Sequence, residues 1–410
     1  MSEELELLLK EFEELKRQRL SFNLSRGKPN KEQLDLSNGL LDIFNSGSDF
    51  IDEAGMDVRN YGEPTGILEA KQLFGEILDI DFNNVILWGN SSLHGIFEFI
   101  SRSYTHGVNG SKPWSQLERV KWLCPVPGYD RHFAISEYFG MEMINIPMDE
   151  NGPDMDLVEK YIKDPAVKGI WCVPIYSNPS GITYSDEVVE RFAKLKPAAQ
   201  DFRIYWDCAY IVHHLYNGHN DRLLNLYIEA KKYHNEDLVY IFASTSKITF
   251  AGSGIAAVAA SEVNIKHISL GLKMETICFD RLNQLRHVRF LKNLDGVNEH
   301  MKKHADIVRP KFIAIIKELE KINDIAWFTK PNGGYFISIF VKEGTASKVI
   351  NRCKDCGLIL TDAGCACPYH KDPLDSHIRL APTYLELEEI KPAMKILTLA
   401  IRIEYLLKND

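Results

Sequence analysis

The sequence predicts an α/β protein: a three-layer large domain, with helices on both faces of a mixed and mostly parallel sheet, plus a smaller α+β domain. Three observations carry this. Short apolar runs rich in β-branched and aromatic residues occur at 85–88, from 120, at 143–146, 169–173, 202–206 and 238–242, and several are separated by helical patterns such as 155–161 and 187–195. Strands joined in that way pair in parallel. Four runs end in polar sets, namely Ser91 with Ser92, Asn178, Asp207 with Tyr210, and Lys247. Ligands gather at the carboxyl ends of strands in such sheets. Past residue 285 the order changes to short strands and helices, closing with a long helix at 387–407, so a change of domain is expected near 285.

Taken in order, residues 3–19 place Leu5, Leu8, Leu9, Phe12 and Leu15 at a helical period with charge opposite, a packing helix. Leu24-Ser25-Arg26-Gly27-Lys28-Pro29 is a turn with two cations beside a glycine. Gly27 lets the backbone come close to another group, and Arg26 and Lys28 either meet a carboxylate or are solvated. Asn60-Tyr61-Gly62 opens a Gly/Pro loop ahead of a helical pattern at 67–78; a tyrosine there marks contact with another surface or a ligand. The 85–88 run leads through Gly89-Asn90-Ser91-Ser92 into a helix start. That is either an anion cradle of backbone N–H groups and hydroxyls at a positive helix end, or a plain capped helix.

The run from 120 leads to Pro127-Gly128-Tyr129-Asp130-Arg131-His132, where Tyr129 offers a plate for a flat ring and His132 shares its face if a helix starts there. Runs at 169–173 and 202–206 end near Asn178-Pro179-Ser180-Gly181 and at Asp207-Cys208-Ala209-Tyr210. The 238–242 run ends at Ser244-Thr245-Ser246-Lys247. A lysine at a strand end either snorkels to water or is poised for chemistry. In apolar surroundings it loses proton affinity and becomes a nucleophilic amine able to condense with an aldehyde. A further strand at 255–260 is expected beside this one. Helical patterns then fill 266–320 with a break near Asn293, and short strands at 326–328, 334–340, 358–361 and 377–380 alternate with a helix at 346–353.

Composition narrows the function classes. The 410 residues are 45% hydrophobic and 26% charged, enough for a large core. A net charge of −9 gives no electrostatic footprint for nucleic acid or an anionic membrane. No run of about 18 apolar residues marks a membrane span, and the acidic, amphipathic start at 1–10 is unlike a signal peptide. Of eight cysteines only Cys353/Cys356 and Cys365/Cys367 lie close, and His370 and His377 do not complete a familiar zinc spacing. No metal is expected, and reduced thiols in a cytoplasmic setting are.

Together the motifs match a known family. On Ser25-Arg26-Gly27-Lys28-Pro29, Gly89-Asn90-Ser91-Ser92-Leu93, Pro127 to His132, Asn178 to Gly181, Asp207 to Tyr210, Ser244 to Gly252, Gly333-Gly334-Tyr335-Phe336 and His377 to Ala381, the chain resembles fold-type I pyridoxal-phosphate aminotransferases of class I/II. The match is nearest the type Ic aspartate aminotransferases and covers nearly the whole chain. The order and spacing of Asn178, Asp207, Tyr210, Lys247 and Arg379 is its most specific part.

The resemblance implies an aspartate aminotransferase-like fold: an N-terminal arm and part of the small domain at 1–45, a large cofactor-binding domain at 46–285, and the C-terminal small domain at 286–410. It implies pyridoxal 5'-phosphate bound to Lys247 as a Schiff base. Asp207 keeps the pyridine nitrogen protonated, with His132 behind it. Tyr210 and Asn178 donate to the ring oxygen, and Tyr129 stacks on the ring. Ser91, Ser92, Ser244 and Ser246 hold the phosphate. Arg379 clamps the substrate α-carboxylate with two parallel bonds, which lysine cannot do, and Gly27 brings a backbone N–H to the same carboxylate. Tyr61 reaches the phosphate of the neighbouring subunit, so a homodimer with shared sites is implied. Lys247 acts as base and then acid in a ping-pong transamination.

One departure stands out: many such enzymes carry an arginine eight residues after the lysine, where this chain has Ile255. Ser253, backbone N–H groups or Lys28 are its candidate replacements. Aspartate with 2-oxoglutarate is the implied substrate pair, and Arg26, Lys28 and Arg131 are candidates for the second carboxylate. Two rivals stay open. The same cofactor site can serve another amino acid, β-elimination or decarboxylation. An aminotransferase-like sensor domain is the other, and no helix-turn-helix pattern or basic extension within the chain favours it.

Overall fold

The computed structural model describes residues 3–409; Met1, Ser2 and Asp410, at the limits of the expected arm and small domain, lie outside the described residues. In chain order the strands are β1 (Phe22–Asn23), β2 (Val85–Leu87), β3 (Lys121–Val126), β4 (Glu142–Asp149), β5 (Gly152–Pro153), β6 (Val167–Cys172), β7 (Arg203–Asp207), β8 (Val239–Ser244), β9 (Ala256–Ala260), β10 (Trp327–Phe328), β11 (Ile337–Phe340), β12 (Leu358–Ile359) and β13 (His377–Leu380). Eight of them form one sheet in the order β2-β9-β8-β7-β6-β3-β4-β5. The β4-β3-β6-β7-β8 block is parallel throughout. β9 runs antiparallel to both β8 and β2, and β5 antiparallel to β4. Two reversals restore direction, so β2 points the same way as β8. In register, Cys172 lies beside Trp206 and Asp207 beside Phe242. The carboxyl ends of β6, β7 and β8 therefore finish nearly level, and that edge collects the polar sets.

Side chains alternate between the two faces of a strand. Leu87, Leu123, Ile170, Ile204, Trp206 and Ile241 enter one core, while Ile86, Trp122, Trp171, Tyr205, Tyr240 and Phe242 enter the other. Apolar residues on both faces explain why the strands read as unbroken apolar runs. Helices Leu68–Leu78, Asp186–Ala193, Leu226–Lys231 and Arg281–Leu291 cover the first face, and Ser92–His106, Asp130–Tyr138 and Glu262–Glu275 the second. This is the three-layer α/β/α arrangement expected.

A separate core gathers Leu5, Phe12 and Leu15 of the helix Glu3–Arg17, the helices Ala346–Asp355 and Leu387–Asn409, and the antiparallel sheet β10-β11-β13. The helix Leu294–Leu319 belongs to both: Val297 and Met301 lie in the large-sheet core, Val308, Phe312, Ile315 and Leu319 in the other. The helical stretch expected at 266–320 is three helices. Its break at Asn293 is present, with Asn293 Oδ1 accepting from Gly296 N at 3.0 Å. A second break, between Glu275 and Arg281, was not expected because the segment holds neither glycine nor proline; Asp280 starts the next helix by accepting from Asn283 N at 2.9 Å.

Candidate active site

β8 ends at Ser244, and the following turn brings Lys247 Nζ to 5.0 Å from the centre of the Tyr210 ring. The Lys247 carbonyl is held by the Tyr335 hydroxyl at 3.5 Å and lies 3.3 Å from His213 Nε2. Asp207, the last residue of β7, is 3% exposed. Its Oδ2 lies 3.3 Å from His132 Nε2, not aligned as a hydrogen bond, and its Oδ1 is buried with no partner. His132 is fixed from behind by Trp171, stacked at 4.8 Å and 19°, whose Nε1 donates to Ser136 Oγ at 2.9 Å. Tyr129 meets His132 edge-on at 4.9 Å. Burial, then the Asp207 charge, pushes the Tyr210 phenol well above its ordinary range. Burial also pushes Tyr129 up to about 12, against the opposing pull of Lys247. Both phenols stay protonated donors at neutral pH.

A second cluster forms around Arg379 in β13. Its Nη1 donates to Asp130 Oδ1 at 3.0 Å and Asn178 Oδ1 at 3.4 Å, and its Nη2 to the Ser25 carbonyl at 3.3 Å and Thr361 Oγ1 at 3.2 Å. Its Nε is buried without a partner. The guanidinium lies 5.1 Å from the Phe336 ring centre. On the same ring, Gly27 packs so tightly that an added Cβ would fall 2.3 Å from Cζ. Asn178 is reached through Tyr176, a tyrosine at φ 47°, in the left-handed region that such residues rarely occupy. Tyr176 holds that conformation with its hydroxyl 2.7 Å from His214 Nδ1 and accepting from Asp221 N at 3.1 Å.

A third cluster joins the turns after β2 and β8. Ser91 caps the helix Ser92–His106, accepting from His94 N at 3.4 Å. Ser244 Oγ donates to Ser246 Oγ at 3.1 Å, and Ser246 Oγ to the Asn90 carbonyl at 3.2 Å. Gly254 is pressed against the same place: a Cβ there would fall 3.1 Å from Asn90 O and from Ser246 N.

The strand ends of the large sheet thus carry an amine, a buried carboxylate with a free lone pair and a serine-lined turn, and β13 of the small sheet brings an arginine fork. The family model described as aspartate amino-transferase matches residues 2–408. The chain belongs to the aspartate aminotransferase family. It is 42% identical to the aspartate aminotransferase of Corynebacterium glutamicum over 389 residues, 94% of this chain and 90% of that one. The crystal structure of an aspartate transaminase from Corynebacterium glutamicum superposes with a TM-score of 0.96 at 40% identity, covering 99% of this chain and 96% of that chain. A structure from Corynebacterium diphtheriae gives a TM-score of 0.95 at 43% identity, covering 98% and 100%. The protein is an aminotransferase.

Of the residues singled out in this aminotransferase, Lys247, Asp207, Tyr210, Tyr129 and His132 come together around the strand ends. Arg379, Asn178 and Gly27 meet through direct contacts and the Phe336 ring. Ser91, Ser92, Ser244 and Ser246 lie on the two joined turns. Others stand apart. Tyr61 is 69% exposed, Arg26 and Arg131 are exposed, and Lys28 Nζ sits 3.9 Å over the Tyr384 ring. Ile255 is buried in the large-sheet core. Two charged residues at these clusters escaped the sequence reading. Asp130, the ion partner of Arg379, lies inside the Tyr129–His132 motif, and its position there was the available signal. Arg286 donates to Ser253 Oγ at 3.1 Å; its only signal was the density of cations in the helix Arg281–Leu291.

Proposed function

We propose that this aminotransferase uses pyridoxal 5'-phosphate to move the amino group of aspartate to 2-oxoglutarate by a ping-pong route. The buried Oδ1 of Asp207 carries the cofactor reading. A buried carboxylate oxygen without a donor is costly, and a protonated pyridine nitrogen is the donor that satisfies it. The residues present fit the group. When bound, it supplies an electron sink for the charge that develops at the substrate Cα. Lys247 Nζ is its attachment point, then the base that takes the Cα proton and the acid that returns it. His132 backs Asp207, Tyr129 covers a ring face, and Tyr210 and Asn178 donate to the ring hydroxyl oxygen. Ser91, Ser92, Ser244 and Ser246 hold the phosphate. Arg379, with Gly27 beside it, takes the α-carboxylate through its unpartnered Nε and neighbouring N–H groups.

Identity of 42% to a protein named for aspartate supports that donor, and Arg26, Lys28 and Arg131 are the candidates for the side-chain carboxylate. A homodimer is supported by an exposed apolar face: Leu270 and Met274 of the helix Glu262–Glu275 are 69% and 85% exposed, and Ile277 is 62% exposed. A second copy would cover it and receive Tyr61 at its phosphate. Eight free thiols support a reducing, cytoplasmic setting.

A half-reaction screen tests the substrate. Each amino acid is added to the holoenzyme and the cofactor absorbance followed; aspartate and glutamate should convert it. Conversion by neutral or aromatic amino acids alone would remove the aspartate assignment and leave the class. Borohydride reduction followed by peptide mapping should place the pyridoxyl label on Lys247, and Lys247→Ala should abolish it. A label on another lysine overturns the cofactor reading.

A further inference from the structure

We infer that Arg286 is the cation that binds the cofactor phosphate, taking the part left open by Ile255. The inference rests on the cofactor reading above and adds a residue to it. A phosphate dianion is held best by charge-assisted donors. The serines and N–H groups of the joined turns are neutral, and Ser246 Oγ already donates to Asn90 O. Ile255 is 2% exposed, its side chain lies in the large-sheet core and its N–H donates to Thr245 Oγ1 at 3.0 Å. Lys28 is held elsewhere, over Tyr384, with its carbonyl bound by Thr383 Oγ1 at 2.8 Å.

The helix Arg281–Leu291 brings the missing charge. Asn283 Nδ2 donates to the carbonyls of Ser253 and Gly254 at 3.2 and 3.1 Å, docking the helix on that turn. One helical turn on, Arg286 Nη2 donates to Asn283 Oδ1 at 2.5 Å and Ser253 Oγ at 3.1 Å. Gly254, gripped in this way, is the residue pressed against Asn90 O and Ser246 N. Arg286 is therefore anchored to the rim of the serine-lined turns. Its two charged neighbours on the helix have counter-ions: Arg281 pairs with Asp52 at 2.7 Å and Arg289 with Asp49 at 3.8 Å. Among the described residues Arg286 has no carboxylate at ion-pair distance, and its Nε is buried with no partner. Ser253 Oγ, having accepted from Arg286, keeps its own hydrogen to donate. An uncompensated guanidinium with spare donors, held on the Ser253 hydroxyl at the rim of those turns, is the chemistry of an oxyanion site.

The test separates the phosphate from the ring. Full-length enzyme freed of cofactor is titrated with pyridoxal 5'-phosphate and with pyridoxal, which lacks the phosphate, following the absorbance of the lysine-bound chromophore. Arg286→Gln should weaken pyridoxal 5'-phosphate by about 10- to 100-fold and leave pyridoxal unchanged; Arg286→Lys should recover part of the loss. Unchanged pyridoxal binding also reports an intact fold. If Arg286→Gln binds the two ligands with wild-type preference, or weakens both equally while melting normally, the assignment falls. If wild-type protein forms no chromophore with either ligand, the cofactor reading itself fails.

Discussion

Arg281→Met is the substitution whose cost can be worked most directly from the structure. Arg281 Nη2 donates to Asp52 Oδ2 at 2.7 Å, and the two side chains are 3% and 2% exposed. Nη1 donates to the carbonyls of Asp57, Asn60 and Tyr61 at 3.4, 3.1 and 3.1 Å. Gly62 lies against the guanidinium, where a Cβ would fall 2.3 Å from Cζ. Methionine keeps most of the aliphatic stem, so the loss is mainly electrostatic. A buried carboxylate stripped of its partner costs about 3–5 kcal/mol. The three carbonyls belong to a largely exposed loop and can turn to water, adding about 1 kcal/mol. The expected loss is about 4–6 kcal/mol, a large part of the ~5–15 kcal/mol that holds a domain folded. Urea unfolding of the holoenzyme, followed by tryptophan fluorescence, measures it. Asp52→Asn added to Arg281→Met should recover some of the loss, because no bare charge is left buried. The loop also presents Tyr61, so Arg281→Met should loosen the proposed dimer in sedimentation. Unfolding within about 1 kcal/mol of wild type, with no gain from the double change, would refute the reasoning.

Three further outcomes follow from particular contacts. Gly27→Ala must displace the Phe336 ring that supports Arg379; it should cost about 1–3 kcal/mol of stability and raise KM for the amino acid more than it lowers kcat, read from steady-state kinetics. Met274→Glu, at a position 85% exposed, should change chain stability by no more than about 0.5 kcal/mol yet shift the sedimentation profile toward monomer. Acid should unfold the protein through histidines kept neutral by burial: His213 and His304 are lowered to about 3, His287 and His377 to about 4. The unfolded chain binds their protons from about pH 6.5 downward while the folded chain refuses them. Stability is therefore full above that pH and falls toward the folded values, by about 1.4 kcal/mol per pH unit for each histidine. Urea midpoints at pH 7.5, 6.5 and 5.5 measure the slope, and an unchanged midpoint at 5.5 contradicts it.

The strand ends were legible in the sequence because two signals coincide there. Buried strands in a doubly covered sheet are short and apolar on both faces, so their limits are sharp. Any polar residue at or just beyond such a limit stands out, as Asp207 does at the end of β7 and Lys247 after β8. The full order of strands was not legible. β9 lies beside β8 as expected, but it pairs antiparallel and takes β2 as its other neighbour, and nothing in an apolar run tells its direction or its second partner. The break before Arg281 was hidden for a local reason, since Asp280 caps a helix without any glycine or proline to announce the stop.

What the sequence hides at the site is partnership. Arg281, Arg286 and Arg289 share one helix, and by residue type they are alike. Asp52 and Asp49 claim the outer two, and Ser253 meets the middle one. These partners come from loops that precede the helix by very different lengths of chain, and only the packing of the helix on the large sheet decides which arginine faces which loop. Asp130 and Arg379, 249 residues apart, are paired by the same kind of long-range decision. A charged residue read alone is best taken as solvated. Its chemistry becomes readable once the fold shows which charges have been neutralised, because the one left over, half-buried and still holding free donors, is the one available to a ligand.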